Sequence, residues 1–219
     1  MSEFINTVDV IGDNALCDQI IQRTITEYKD DVLTSLSSYA FSGCTSLRTV
    51  DLPNVTSVPT DLFKGLSSLE KASLSKLTKM SESMFYGCTK LTEVILPCVT
   101  NISFYGFYNC SSLRILDFPV VTSMGYNEAW SYPPFAGCYK LVALILRNTN
   151  SICEMKVSSP FSNSSITSTS GNGYIYVPRV LIEDYKADSN WSKYATRIRP
   201  LEDYTVDGTT TGAFDETKI

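Results

Sequence analysis

The sequence predicts an α/β solenoid: short parallel strands in an array of stacked coils, closed by a helix at the N-terminal end and a mixed cap at the C-terminal end. Three observations predict it. The pattern Phe41-Ser-Gly43-Cys44-x-x-Leu47-x-x-Val50-x-Leu52-Pro53-x-Val55-x-x-Val58 restarts at Phe63, Phe85, Phe107 and Phe135. From Phe41 to Phe107 the step is 22 residues each time. Apolar residues recur at fixed phases, so no copy can bury its own hydrophobic face, and each must stack on its neighbours. Such an array favours a binding surface over an active site.

The elements follow in chain order. Residues 1–31 form an N-terminal segment in which Leu16, Ile20, Ile21, Thr24, Ile25 and Tyr28 fall at spacings of three, four and seven, the apolar stripe of a helix between Asp13 and Lys29. Asp13 or Asn14 can cap its first turn. The array itself spans 32–172, and Leu33 and Leu36 stand one period before Val55 and Val58, so a partial repeat precedes Phe41. Within each copy the leucine phase holds Leu47, Leu69, Leu91, Leu113 and Leu141, followed three residues on by Val50, Ala72, Val94, Leu116 and Leu144. Two further on come Leu52, Leu74, Leu96, Phe118 and Leu146. That last spacing is the strand period, which sends both side chains to one face and the residue between them to the other. A second apolar pair follows (Val55/Val58, Leu77/Met80, Val99/Ile102, Val121/Met124 and more weakly Thr149/Ile152), with polar residues between its members that read as a solvent-facing return.

The period breaks twice. Phe107 to Phe135 spans 28 residues, so about six are inserted near 125–132, around Gly125-Tyr126-Asn127-Glu128-Ala129-Trp130-Ser131-Tyr132. A smaller insertion falls near 153–160, and Phe161 starts a sixth, degenerate copy. Residues 173–204 form the cap, with two short helices between Val177 and Pro200 and with Tyr185, Trp191 and Tyr194 to cover the last coil. The tail 205–219, rich in Thr, Gly and acids, is expected to be loosely held.

The run Ala40-Phe41-Ser42-Gly43-Cys44-Thr45-Ser46-Leu47, with Leu52-Pro53 and Val55-Thr56-Ser57-Val58 after it, closely resembles the BspA-like subclass of leucine-rich repeats. The resemblance covers roughly residues 32 to 200, and Gly173-Tyr-Ile-Tyr-Val-Pro178 and Asn190-Trp191-Ser192-Lys193-Tyr194 look like the cap that often closes such arrays. It implies a curved leucine-rich-repeat solenoid used for adhesion or recognition, with no defined reaction.

Composition narrows the function classes. A formal charge of −5, with no basic stripe, argues against a nucleic-acid partner. No apolar run approaches the roughly twenty residues that span a bilayer. Met1 to Asn6 shows no basic region followed by an apolar one, so no secretory signal is visible, and an extracellular or virion-surface location would need another route, such as cytoplasmic synthesis with release by lysis. The chain has no histidine, which removes Ser-His-Asp and Cys-His arrangements and the commonest general base. Ser68-Leu-Glu-Lys71 and Ser73-Leu-Ser-Lys76 retain a Ser-Lys spacing, but within repeats rich in both residues, and the carboxylate pairs are adjacent in sequence, as solvated surfaces often are. No catalytic residue and no cofactor is assigned.

Four of the seven cysteines, Cys44, Cys88, Cys110 and Cys138, share one repeat phase, and Leu66 fills that phase in the second copy. An apolar replacement favours packing over chemistry, so structural thiols are expected. With no C-x-x-C and no histidine, no metal site is assigned.

Two surfaces are candidates for ligand binding. The residues flanking the second core phase point outward on the sheet: Thr49/Asp51, Lys71/Ser73, then Glu93/Ile95, Ile115/Asp117 and Ala143/Ile145. The last six are the candidate set, with Ile95, Ile115 and Ile145 as an exposed apolar stripe. β-branched residues also suit strands, and an oligomer interface or a covering loop would explain them equally. The second candidate is the insertion, where Tyr126, Trp130 and Tyr132 stand beside Asn and Glu as a platform for a sugar or peptide, or where Trp130 packs back onto the array. The expected partner is a protein or glycan on a host or neighbouring cell. The alternative is a structural role in a phage virion, as fibre or decoration, or in a homo-oligomer.

Overall fold

The computed structural model describes residues 25–125, 132–206 and 209–210, and for 205–210 the backbone only. Each copy of the repeat makes one coil with a strand on one side, a corner at the phenylalanine and a short extended return on the other side. The strands are β1 (Glu27–Lys29), β2 (Thr49–Asp51), β3 (Lys71–Ser73) and β4 (Glu93–Ile95), then, after the return strand β5 (Asn101–Ile102), β6 (Ile115–Phe118). The return strand β7 (Ser123–Met124), β8 (Ala143–Leu146), the return strand β9 (Glu154–Met155), β10 (Tyr174–Val177) and β11 (Ile198–Pro200) complete the array. All pair in parallel, β1-β2-β3-β4 and β6-β8-β10-β11 as two four-stranded sheets and β5-β7-β9 as the return sheet. The register is the repeat itself: Val50 sits opposite Ala72, and Ala72 opposite Val94.

β1 corrects the expected N-terminal helix at its end. Glu27–Lys29 is a strand paired with Thr49–Asp51, and Tyr28 lies one period before Val50. Ile25 and Tyr28 occupy the leucine and valine phases one coil earlier, and their spacing of three belongs equally to the repeat and to a helical face. Both pack against the core, and the Tyr28 ring meets Phe41 edge-on at 5.4 Å. The remainder of the predicted helix, and the tail beyond Thr210, lie outside the described residues. Within the tail, Thr205–Val206 (β12) pairs with Thr209–Thr210 (β13) in antiparallel fashion.

The core is a set of ladders running along the array. The six phenylalanines Phe41, Phe63, Phe85, Phe107, Phe135 and Phe161 are fully buried, and successive rings lie 5.2, 5.4, 5.3, 5.8 and 5.4 Å apart, the last four pairs near parallel. Beside them the thiols of Cys88, Cys110 and Cys138 donate at 3.1 Å to the carbonyls of Phe63, Phe85 and Phe107. Burial pushes the Cys88 and Cys138 thiols up to about 12, as expected of packing groups. Cys44 departs from that expectation, for it is disulfide-bonded.

The corner forces the backbone into the left-handed region two residues after each phenylalanine. Gly43, Gly65, Gly87 and Gly137 hold that position with φ between 74° and 79°, and Asn109 and Asn163 hold it in the other coils with φ of 58° and 53°. Only glycine and, at modest cost, asparagine adopt this conformation readily, which is why the phase admits nothing else. At Gly137 a Cβ would also run into the Asn109 side chain of the preceding coil.

The strand ladder breaks between β4 and β6, where the two sheets meet without pairing. Val94 is only half-buried there, whereas Val50, Ala72, Leu116 and Leu144 are buried. The break coincides with Phe118, the one large ring in a phase otherwise held by leucine, which packs 6.2 Å from Phe107.

At the far end the cap follows the sequence expectation. A 3-10 turn at Arg179–Leu181, α1 (Ile182–Ala187) and a 3-10 helix at Ser192–Arg197 close the last coil. Tyr185 and Trp191 are fully buried. The Trp191 indole N–H donates to the Cys153 carbonyl at 2.7 Å, and the Cys153 N–H donates to Tyr185 Oη at 2.8 Å. Tyr194 closes the phenylalanine ladder edge-on to Phe161 at 5.1 Å. Among the described residues no helix is long and apolar enough to cross a membrane.

Candidate recognition site

The sheet face carries charge in its early coils, and the charges pair off along the array. Lys29 meets Asp51 at 3.1 Å, Lys71 meets Glu93 at 2.8 Å and Arg48 meets Glu70 at 3.6 Å. Glu93 therefore already has a partner. Asp117 does too, for Arg147 grips it through Nε at 2.7 Å and through Nη2 at 2.7 Å, a two-pronged pair shielded on one side by the cap.

The predicted apolar stripe is cut short. Ile115 is 39 % exposed and Ile95 half-buried, but Ala143 and Ile145 are buried, so these two are not part of an open surface. Leu201 and Tyr204 cover them, with Tyr176 packed alongside. The chain beyond β11 folds back over the sheet as a 3-10 turn, Leu201–Asp203, which Arg179 holds through Asp203 at 2.7 Å. The covering segment, left open by the sequence as one explanation of the stripe, is the one that applies to its last member, Ile145, and to Ala143 on the same strand.

Of the insertion near 125–132, only its end residues are described. Tyr126 and Trp130 lie outside the described residues. Tyr132 is half-buried and lies against the preceding coil, tilted on Tyr105 at 4.9 Å and edge-on to Phe104 at 5.6 Å. It joins a cluster that sequence reasoning missed. Tyr86 and Tyr108 stack at 4.8 Å and 11°, Tyr105 stands perpendicular to both at 5.7 and 5.0 Å, and Lys64 Nζ lies 5.5 Å from the Tyr86 ring centre. Tyr86 and Tyr108 follow their phenylalanines by one residue in successive copies, so an outward phase holding tyrosine twice in a row was the available signal.

All four tyrosines are half-exposed, and among the described residues none has a hydrogen bond to its hydroxyl. Burial, then the neighbouring rings of Tyr132, Tyr108 and Tyr86 and the Glu82 carboxylate, raise the Tyr105 phenol above its ordinary value, so it stays a neutral donor and acceptor. A groove of about 330 Å³ opens beside the cluster. Val58, Met80 and Phe104 line its apolar side, and Thr60, Ser81 and Glu82 its polar side. Ser81 Oγ is shielded from water and has no hydrogen-bond partner among the described residues. The arrangement offers rigid aromatic area with polar edges, suited to holding a ligand.

Comparisons with known proteins address the family. The model of the BspA type leucine rich repeat region matches residues 9–142 in 6 copies. No curated protein matches the chain. Among solved structures, the crystal structure of the pneumococcal vaccine antigen PcpA is similar with a TM-score of 0.47 and 18 % identity, over 82 % of this chain and 40 % of that one. This chain thus spans less than half the length of that neighbour. The family match covers more than half of the sequence and accounts for its period, its parallel strands and its phenylalanine corners: the chain belongs to the BspA-type leucine-rich repeat family.

Proposed function

We propose that this chain is a non-enzymatic recognition module, acting in adhesion or protein contact at an exterior surface, and that it meets its partner through the tyrosine corner in preference to the sheet face. The observation that carries the reading is the cluster of Tyr86, Tyr105, Tyr108 and Tyr132, half-exposed and, among the described residues, without a hydrogen bond to any hydroxyl. Tyrosine supplies large contact area at low entropy cost and is favoured at the centres of interfaces. The sheet face has less to offer, since Lys29 is paired with Asp51 and Lys71 with Glu93 in exposed pairs and the apolar stripe ends under the cap. The family's repeat, as its resemblance implies, is one used for recognition, and its period leaves no recurring position for catalysis.

The test is a binding screen of the chain against arrays of extracellular proteins and glycans, repeated with a Tyr86→Ala/Tyr108→Ala double variant and with Lys71→Ala/Glu93→Ala. Binding that the first pair of changes abolishes and the second leaves intact is the expected result. The reverse pattern would move recognition to the sheet.

A further inference from the structure

We infer that Arg199 and Tyr174, on the outward face of the last two strands, form a receptor for a carboxylate on an acidic peptide segment of a partner protein, a contact separate from the tyrosine corner. The strand period brings them together. Ile175 and Val177 of β10 are buried in the core, so Tyr174 and Tyr176 stand on the opposite face. β11 lies in register beside them, with buried Ile198 opposite Ile175 and Arg199 opposite Tyr176. The Arg199 guanidinium lies over the Tyr174 ring at 4.6 Å, and that of Arg197 lies 5.8 Å from the same ring. Backbone carbonyls hold both cations in place. Arg199 Nη1 donates to the carbonyls of Thr196 and Ile198 at 2.9 Å each. Arg197 donates through Nη1 to Gly171 at 2.7 Å and through Nη2 to Ser168 at 2.8 Å. Among the described residues this leaves the Nε–Nη2 edge of Arg199 and the Nε of Arg197 without a partner.

That open edge is the one this chain itself uses to hold a carboxylate. Arg147 takes Asp117 through Nε and Nη2, both at 2.7 Å. Arg199 offers the same two donors on a guanidinium already fixed by a ring and two carbonyls, so little freedom is lost when an acid binds. Two guanidinia beside one ring, with no ion pair among the described residues, also repel each other, and a carboxylate relieves that repulsion. Burial and the Tyr174 phenol raise Tyr176 above its ordinary value, so it stays a neutral donor next to the acid. Tyrosine and arginine are also the residues that dominate contact energy at interfaces. Charge sets the size of the partner's acidic stretch. Two cations suit one or two carboxylates, whereas a long polyanion would run past them onto a chain of net charge −5, with Glu202 and Asp203 in the adjoining turn.

The test is fluorescence polarisation of the full chain with a labelled, end-capped peptide Gly-Glu-Glu-Phe-Gly and with its Gln-Gln counterpart, at about 0.15 M salt so that long-range steering is screened. The acidic peptide should bind at least about tenfold more tightly than the neutral one. Arg199→Lys keeps the charge and loses the fork, and should weaken that binding about tenfold with an unchanged melting curve. Tyr86→Ala/Tyr108→Ala should leave it unchanged. In NMR spectra of the parent chain the Arg199 Nε–H resonance should shift as the acidic peptide is added, a readout that needs no variant. The inference is overturned if the two peptides bind alike, if the acidic one shows no binding up to about 1 mM, or if Arg199→Lys binds as the parent does. A sulfated oligosaccharide that binds while the acidic peptide does not would overturn it too. Binding that appears only with Asp215→Asn/Glu216→Gln would give the site to the chain's own C-terminal acids and overturn the outside partner. Each of these outcomes leaves the corner reading standing, because that reading is tested through Tyr86 and Tyr108.

Discussion

The sheet face and the phenylalanine corner are built by the same repeat, with the same spacing along the array, yet they leave their polar groups in opposite states. On the sheet, charged side chains sit in register one coil apart, so Lys29 reaches Asp51 and Lys71 reaches Glu93, and the surface satisfies itself. At the corner the stacked groups are phenols, which pack ring on ring with, among the described residues, no hydrogen bond to their hydroxyls. A solenoid therefore does not present one uniform surface. Which face is available depends on whether the residue repeated there can complete its own bonding with the copy above and below it.

Three measurements test that contrast. The largest expected effect lies where the sheet face is covered. Ile145→Asp should destabilise the protein by about 3 kcal/mol, because a carboxylate would be buried beneath Leu201 and Tyr204, whereas Ile115→Asp, at a 39 % exposed position on the neighbouring strand, should leave the urea midpoint nearly unchanged. Equal effects would mean that the Leu201–Asp203 turn does not cover the face in solution.

A moderate effect belongs to the layer inside the corner. Burial raises the Cys88 and Cys138 thiols to about 12 from an ordinary 9.0, so the folded chain holds protons that the unfolded chain releases above pH 9.0. With more protons on the native state, stability is complete below pH 9.0 and declines as pH rises from there toward 12. At pH 8 an alkylating reagent should accordingly label exposed Cys98 and spare Cys88, Cys110 and Cys138 in the native protein. Mass spectrometry showing equal labelling of the four would contradict the packed thiol ladder.

The smallest effect should come from the ion pairs. Lys71→Ala removes the Glu93 partner at an exposed site and should shift stability by less than about 0.5 kcal/mol, with high salt shrinking the difference further. A loss several times larger in thermal melts would show that these pairs act as a connected network, and would make the sheet face a more constrained surface than the corner.

Much of the architecture was legible in the sequence because a solenoid writes its core as a period. The phenylalanine, leucine and valine phases located the strands and the corners, and Tyr185, Trp191 and Tyr194 located the cap. The N-terminal boundary was misread at Ile25 and Tyr28, since a spacing of three serves a helical stripe and the approach to a strand alike. The candidate site was less legible. Tyr132 was among the residues singled out, but Tyr86, Tyr105 and Tyr108 lie 19 to 22 residues apart or three apart across a turn, and only the stacking of coils makes them neighbours.

The repeat, the parallel strands and the family to which the chain belongs are written in the residues alone, because each follows from residues within one period and from neighbours one period away. Which outward residues stay open depends on the packed chain. Ile145 and Ile115 are equivalent in pattern, yet a segment arriving from some 55 residues beyond Ile145 buries the one and leaves the other exposed. The break between β4 and β6 is of the same kind. Exposure is a property of everything that packs against a site, and a local pattern holds no record of chain that returns from far away.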